Sequence, residues 1–370
     1  MLSECCAMDS LRCLEGEYAP SFPQPWSDAT IQCLMRDSLT ADCEQLLVLR
    51  DPTGAVEAVV AVHSTRLGPA HGGIRRWAYA DTEEAICDAV ALARAMTAKC
   101  ALAEVPAGGG KAVILDHPNL DREAAYRRVG RAVEQMGGAF FTGPDVNTAA
   151  EDLRIVAEET SFVATDSADG PGDLAAATAE GVVAALLALS EVLGIEPSGL
   201  HVVLQGLGSV GMRLCQRLSA LGVCLSVHDV VQDRVASAVD LYGATELFVD
   251  TVTATPCDVF VPCALGGVLT NDLAGTLPAR GVCGAANNIF AGPDAAETLH
   301  RRGVVVVPDF ISNAGALIQG AMWNLKQERI QPARLERIGH TTRQLLDRAQ
   351  ASNRPPSVIA LELARERLER

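Results

Sequence analysis

Residues 201–211 read His201-Val202-Val203-Leu204-Gln205-Gly206-Leu207-Gly208-Ser209-Val210-Gly211. An apolar, β-branched run enters a G-x-G-x-x-G turn, and Met212 to Leu221 continue as a helix. Each glycine has a physical task. Gly206 makes the tight turn, Gly208 lets the backbone approach a pyrophosphate, and Gly211 lets helix and strand pack closely. Ser209 and Val210 join these glycines as candidate cofactor-binding residues, and the N-terminus of the following helix offers free N–H groups and partial positive charge to phosphate. Asp229 ends the next strand, where an acid bonds a ribose 2′-hydroxyl. That favours NAD over NADP, with Arg234 nearby as the opposing signal. The alternative is a Gly-rich turn that binds nothing, or that binds another adenosine cofactor.

Outward from this turn the pattern alternates strand and helix at 202–205, 210–221, 224–229, 231–241, 258–263, 282–285 and 304–307. Such alternation indicates α/β architecture, a doubly wound parallel sheet with helices on both faces. A helical run, Thr178 to Leu193, leads in, after a linker at 165–176. Upstream, Val56–Val62 reads as a strand and Leu67–Arg76 as a Gly/Pro-rich loop. Asp81 to Lys99 reads as a helix with Ile86, Ala89, Val90, Ala93 and Met96 on its buried stripe. Asp81 or Thr82 caps it, and Glu84 stands where a capping-box acid belongs. A short strand follows at Ala112–Leu115, then a helix from Asp121 to Met136 stopped by Gly137-Gly138. The Phe141–Asp145 stretch is a strand end running into a loop. The tail is helical and broken at Pro355-Pro356. The first 45 residues or so read as a helix-poor lead-in.

The length of 370 residues predicts two domains or three. The expected division is a catalytic domain over 1–172, on which helices at 335–370 pack back, and a dinucleotide domain over 173–334. Lys+Arg total 30 against Asp+Glu 46, a net charge of −16. That balance argues against a nucleic-acid binder, which carries a basic stripe. No apolar run reaches the roughly 18 residues of a membrane span, and no signal peptide is recognisable. A cytoplasmic location with reduced thiols is expected for the twelve cysteines. No C-x-x-C or H-E-x-x-H spacing occurs, so no metal is expected.

Lys99, Lys111 and Asp145 are the candidate chemical groups. Lys111 follows Gly108-Gly109-Gly110, which permit close backbone approach. The run is not a phosphate-binding P-loop, because Val105 and Ala112 stand where that motif needs Gly and Ser/Thr. A second cation nearby, with desolvation, lowers a lysine's pKa and lets it act as a general base. The other lysine, still charged, holds a carboxylate. Asp145 relays protons. The bland alternative for each is a solvated surface charge.

Eight stretches occur in order: 67–75 (LGPAHGGIR), 96–99 (MTAK), 106–111 (PAGGGK), 142–148 (TGPDVNT), 205–211 (QGLGSVG), 262–267 (PCALGG), 285–288 (AANN) and 308–315 (PDFISNAG). From about residue 45 to about 330 the chain resembles the Glu/Leu/Phe/Val (and Trp) amino-acid dehydrogenases, closest to the phenylalanine/tryptophan/leucine branch. The resemblance implies two domains around a cleft. It also implies oxidative deamination of an L-amino acid to a 2-oxo acid and ammonia, and the reverse reaction, with NAD. It assigns the substrate carboxylate to Lys99, the general base to Lys111 and amino-nitrogen protons to Asp145. Asn287 or Asn288 positions substrate and cofactor, and Thr178 lies on the cofactor side. Leu67, Gly68, Gly143, Leu317 and Gly320 are the expected pocket. An aromatic or large apolar side chain is favoured; branched-chain specificity, or another imine in specialised metabolism, is the alternative. His71 and Ala316 depart from the family pattern. For His71 the expectation is a solvent-facing or satisfied ring, with contact to an unusual polar substrate if it points into the cleft. A homo-oligomer is expected.

Overall fold

The computed structural model describes residues 43–164, 170–292 and 294–369. Nearly all of the expected lead-in, and residues 165–169 of the expected linker, lie outside these. Two sheets organise the chain. The first contains β1 (Gln45–Arg50), β2 (Val56–Ser64), β3 (Ala70–His71), β4 (Ile74–Trp77), β5 (Gly108–Leu115) and β6 (Phe140–Phe141). Its order is β1-β2-β5-β3-β6, with β4 also paired to β5. β1, β2 and β5 pair antiparallel, while β3, β4 and β6 join in parallel.

The stretch expected as a loop at 67–76 therefore contributes β3 and β4, one after the other along β5. Glycine supplies the reason. A Cβ on Gly72 would sit 1.7 Å from the Gly110 carbonyl oxygen, and one on Gly108 would sit 1.8 Å from that of Ser64. The backbones approach too closely here for any side chain, so strand segments carry loop-like composition. β5 likewise begins at Gly108, four residues before the expected start.

Alternation gives this sheet two apolar faces. Val59, Ala61 and Val113 pack against α1 (Thr82–Leu102), with Ala85, Ile86, Ala89, Val90 and Ala93. Ala58, Val60, Ala70, Ala112, Ile114 and Phe140 pack against α2 (Arg122–Gln135) and α3 (Ala150–Ala157). Asp81 caps α1 by accepting from Glu84 N at 2.8 Å, which contributes about 1 kcal/mol. The Glu84 carboxylate accepts from Ala80 N at 2.6 Å rather than from the cap's own amide. Met96 is only half-buried.

α4 (Leu174–Leu193) leads into the second sheet, with Asp173 as its cap. Its mean hydropathy of 1.6 over 18 residues is high enough for a membrane span by length and composition alone. The alanines that raise that average pack against α5 (Ser209–Ala220), α10 (Gly315–Lys326) and α11 (Pro332–Ser352). The second sheet comprises β7 (His201–Gln205), β8 (Cys224–His228), β9 (Thr245–Glu246), β10 (Cys257–Pro262), β11 (Ala279–Val282) and β12 (Val305–Val306). All six are parallel, in the order β12-β11-β10-β7-β8-β9. This is the dinucleotide-binding order 3-2-1-4-5-6, and it reverses between β7 and β10. β11 begins three residues before its expected start, and Gly284, just past its end, is pressed against the Pro262 carbonyl oxygen, where a Cβ would lie at 2.2 Å. The remaining helices are α6 (Gln232–Tyr242), α7 (Asn271–Thr276), α8 (Ala295–Arg301), α9 (Asp309–Ser312) and α12 (Pro356–Leu368). α11 lies along α4, and α12 packs on α1. Arg367 fastens that contact by donating to the Leu102 carbonyl at 2.7 Å.

Candidate active site

The glycine turn lies at the carboxyl end of β7, where the strand order reverses. Gly206 has φ +101°, and a Cβ there would meet the Ala264 amide nitrogen at 2.7 Å. A Cβ on Gly211 would lie 2.0 Å from the Gly206 carbonyl oxygen, so this glycine serves helix–strand packing. Gly208 differs: its φ is −68° and a Cβ would meet no protein atom within 4 Å. Neither backbone strain nor internal packing requires glycine at 208. What it leaves bare is the outward approach to the N-terminus of α5, which has no side-chain cap. Free N–H groups beside an unobstructed backbone fit a pyrophosphate.

Asp229 accepts from Leu207 N at 2.6 Å and from Val231 N at 2.8 Å. Burial opposes its charge, but these amides and Arg234, at 3.5 Å, hold the carboxyl below its usual range. It therefore clamps the turn, with lone pairs left for a ribose hydroxyl. Thr178 donates to the Leu174 carbonyl at 3.0 Å and is largely buried.

Lys111 stands in the middle of β5 on the α1 face, 5% exposed. Its ammonium is paired with Asp145. Arg75 of β4 reaches the same Asp145 oxygen at 3.4 Å and Asp88 of α1 at 3.2 Å. Tyr79 donates to Asp88 at 2.6 Å. Burial pushes Lys111 below the ordinary lysine range, and Arg75 adds to that against the pull of Asp145. For Asp145, burial acts upward, but Lys111 and Arg75 hold it below its usual range. Burial and Arg75 thus make the Lys111 proton easier to remove, while Asp145 opposes its loss.

Lys99 extends from the last turn of α1 across to α9, where it donates to Asn313 Oδ1 at 2.7 Å. Asn313 Nδ2 in turn donates to Asn287 Oδ1 at 2.8 Å and to the Ala285 carbonyl at 3.2 Å. This leaves the exposed amide nitrogen of Asn287 as a donor. Asn288 has φ +52°, and its N–H donates to Asp309 at 2.6 Å. Burial lowers the Lys99 pKa, with Lys111 adding to this and Asp309 opposing it. Burial raises that of Asp309. The two sheets thus meet through Lys99, Asn313 and Asn287.

Of the expected pocket residues, Gly68 is a structural glycine, with φ +139° and a Cβ position 2.2 Å from the Pro106 carbonyl oxygen. Leu67 and Leu317 are partly buried against one apolar cluster. Gly143 leaves room up to Ala164, 3.5 Å from its Cβ position, and Gly320 faces open space. His71 is neither solvent-facing nor satisfied: it is 4% exposed, and its Nε2 has no partner among the described residues. The sequence reading missed Arg75, Asp88, Tyr79, Asp309 and Asn313 as site residues. Arg75, Asp309 and Asn313 lay within quoted motifs; Asp88 and Tyr79 carried no signal of their own. No group of three or more His, Cys, Asp or Glu suited to a metal occurs among the described residues.

Comparison with known proteins agrees with this geometry. Residues 44–167 match the family described as Glu/Leu/Phe/Val dehydrogenase, dimerisation domain. Residues 225–331 match Glutamate/Leucine/Phenylalanine/Valine dehydrogenase. The leucine dehydrogenase of Geobacillus stearothermophilus is 36% identical over 337 residues, covering 89% of this chain and 92% of that one. The phenylalanine dehydrogenase of Lysinibacillus sphaericus is 36% identical over 302 residues, covering 78% and 79%. The crystal structure of L-tryptophan dehydrogenase from Nostoc punctiforme superposes with a TM-score of 0.80 at 33% identity, covering 89% and 96%. The chain belongs to the Glu/Leu/Phe/Val dehydrogenase family of amino-acid oxidoreductases.

Proposed function

We propose that this amino-acid dehydrogenase removes hydride from Cα of an L-amino acid with a large apolar or aromatic side chain, using NAD, and releases ammonia and a 2-oxo acid. The observation that carries this reading is a pair of desolvated lysines on the first sheet and its helix, each with a different polar partner. Lys111 is held by Asp145 on the sheet, and Lys99 is linked through Asn313 to the dinucleotide side. When bound, NAD supplies the hydride acceptor, and Gly206, Gly208, Gly211, the α5 N-terminus, Asp229 and Thr178 hold it. Lys99 takes the substrate carboxylate, which offsets the desolvation of its ammonium. Asp145 carries protons at the amino nitrogen. Lys111, once deprotonated, takes a proton from the water that attacks the imino carbon. Water addition followed by loss of ammonia gives the oxo acid. Asn287 orients the carboxylate and the cofactor amide.

NAD is favoured over NADP because Asp229 would face a 2′-phosphate with like charge. Gly320 and Gly143 leave the room that a large side chain needs. Branched-chain specificity is the competing reading, carried by the leucine and valine dehydrogenases among the relatives, the latter 36% identical to this chain in Streptomyces albus. A cytoplasmic homo-oligomer completes the proposal, tested by light scattering of the purified protein. The activity test is dinucleotide reduction at alkaline pH with NAD and NADP in parallel, over a panel of L-amino acids. Turnover of bulky apolar or aromatic members with NAD, with stoichiometric ammonia, supports the reading. Turnover of none overturns it.

A further inference from the structure

His71 is a buried polar group with half of its hydrogen bonding unmet. Its Nδ1 lies 3.0 Å from the Pro69 carbonyl oxygen. A carbonyl only accepts, so the proton sits on Nδ1 and the neutral ring presents Nε2 as a bare acceptor. Burial favours this neutral form by lowering the pKa, against the Pro69 carbonyl. Among the described residues no donor reaches Nε2. An unmet buried acceptor costs about 1–3 kcal/mol, so its retention asks for a reason.

Strand register says where the ring stands. His71 pairs with Gly109 of β5 and with Phe141 of β6. Ala70 and Phe140, one residue earlier on each strand, belong to the α2 face. By alternation His71 and Phe141 are on the opposite face, as are Gly109 and Lys111. Lys111 is thus a same-face diagonal neighbour of His71, with about 7–8 Å between the Cα atoms. The imidazole stacks on Phe141, with centroids 5.1 Å apart and planes 10° apart, and Phe162 meets Phe141 edge-on at 5.2 Å. Nδ1 is anchored to the ring's own strand. Nε2, at the far end of the ring, is a buried acceptor on the sheet face that carries the reacting lysine.

We infer that His71 Nε2 accepts a hydrogen bond from the substrate's side chain, so that the enzyme selects an aromatic amino acid with a donor on its ring, an indole N–H or a phenol O–H. The inference rests on the amino-acid dehydrogenase reading and narrows it. The Phe141 and Phe162 rings offer aromatic surface, and Nε2 supplies the one directional contact. A site built to bond a substrate donor rejects the analogue that lacks it far more strongly than an apolar slot rejects a missing methylene.

The test uses matched pairs with the full-length enzyme and NAD: tyrosine against phenylalanine, and tryptophan against 3-(benzothiophen-3-yl)alanine, in which sulfur replaces the indole N–H. At least one pair is expected to favour the donor in kcat/KM by about tenfold or more, and His71→Leu is expected to cut that ratio by about tenfold. His71→Gln, which retains an acceptor, is expected to keep part of the preference. If neither pair shows the preference in the unaltered enzyme, the inference is overturned even when phenylalanine or leucine is oxidised well. A preference that survives in His71→Leu also overturns it. Should His71→Leu fail to fold, the matched pairs in the unaltered enzyme still decide. No turnover of any amino acid overturns the dehydrogenase reading itself, a result distinct from indifference to the donor.

Discussion

Lys111 reaches its place because glycines precede it. A Cβ on Gly109 would lie 2.1 Å from Thr97 N, and one on Gly110 would lie 2.7 Å from the Phe140 ring. The strand is pressed between helix and ring, and the first long side chain is the lysine that meets Asp145. Burial and Arg75 lower its pKa, so amino-acid oxidation should rise with pH through a value below the ordinary lysine pKa of about 10.4. The pH profile of kcat checks this. Lys111→Met is expected to lower kcat by about 10²–10⁴-fold while leaving NAD binding intact. The stability consequence has a definite sign. The folded protein releases the Lys111 proton more readily than the unfolded chain. Stability from this group therefore grows as pH rises between the lowered value and about 10.4, and it is lost as pH falls. Denaturant titrations across the alkaline range should show a weaker rise for Lys111→Met than for the unaltered protein.

At the scale of elements, the glycine turn separates packing from binding. Gly211→Ala would force a Cβ onto the Gly206 carbonyl and should lower the melting temperature of the protein without ligand. Gly208→Ala meets no protein atom. It should leave that melting temperature nearly unchanged while reducing the further rise on adding NAD. Thermal unfolding of both variants, with and without NAD, distinguishes the two roles. The same contrast shows what was legible in sequence. Strand β7, its turn and α5 follow local rules, and the alternation through β12 was readable at nearly every strand. β3 and β4 were not, because glycines imposed by neighbouring backbones look like loop. The Lys–Lys–Asp set was readable as a motif. The Arg75–Asp88–Tyr79 network was not: its members lie within residues 75–88, but they follow no motif spacing and meet only through the turn from β4 into α1.

At the scale of the whole molecule, the first sheet's helix and the second sheet's loops are bridged by a chain of side-chain contacts from Lys99 through Asn313 to Asn287. Both lysines lie on the first sheet and its helix, and the dinucleotide turn lies on the second, so reaction requires the two to be held together. Asn313→Ala removes the middle link. It is expected to lower kcat/KM for the amino acid by about tenfold to a hundredfold, with little change in NAD affinity, read by steady-state kinetics and NAD titration. The account stands on direct hydride transfer from Cα between the two sheets. Its most direct test is oxidation of a 2-deuterated L-amino acid, with mass analysis of the reduced dinucleotide. One deuterium per reduced dinucleotide, matched by one ammonia and nearly abolished in Lys111→Met, is the expected result. Ammonia release with an unlabelled dinucleotide would contradict it.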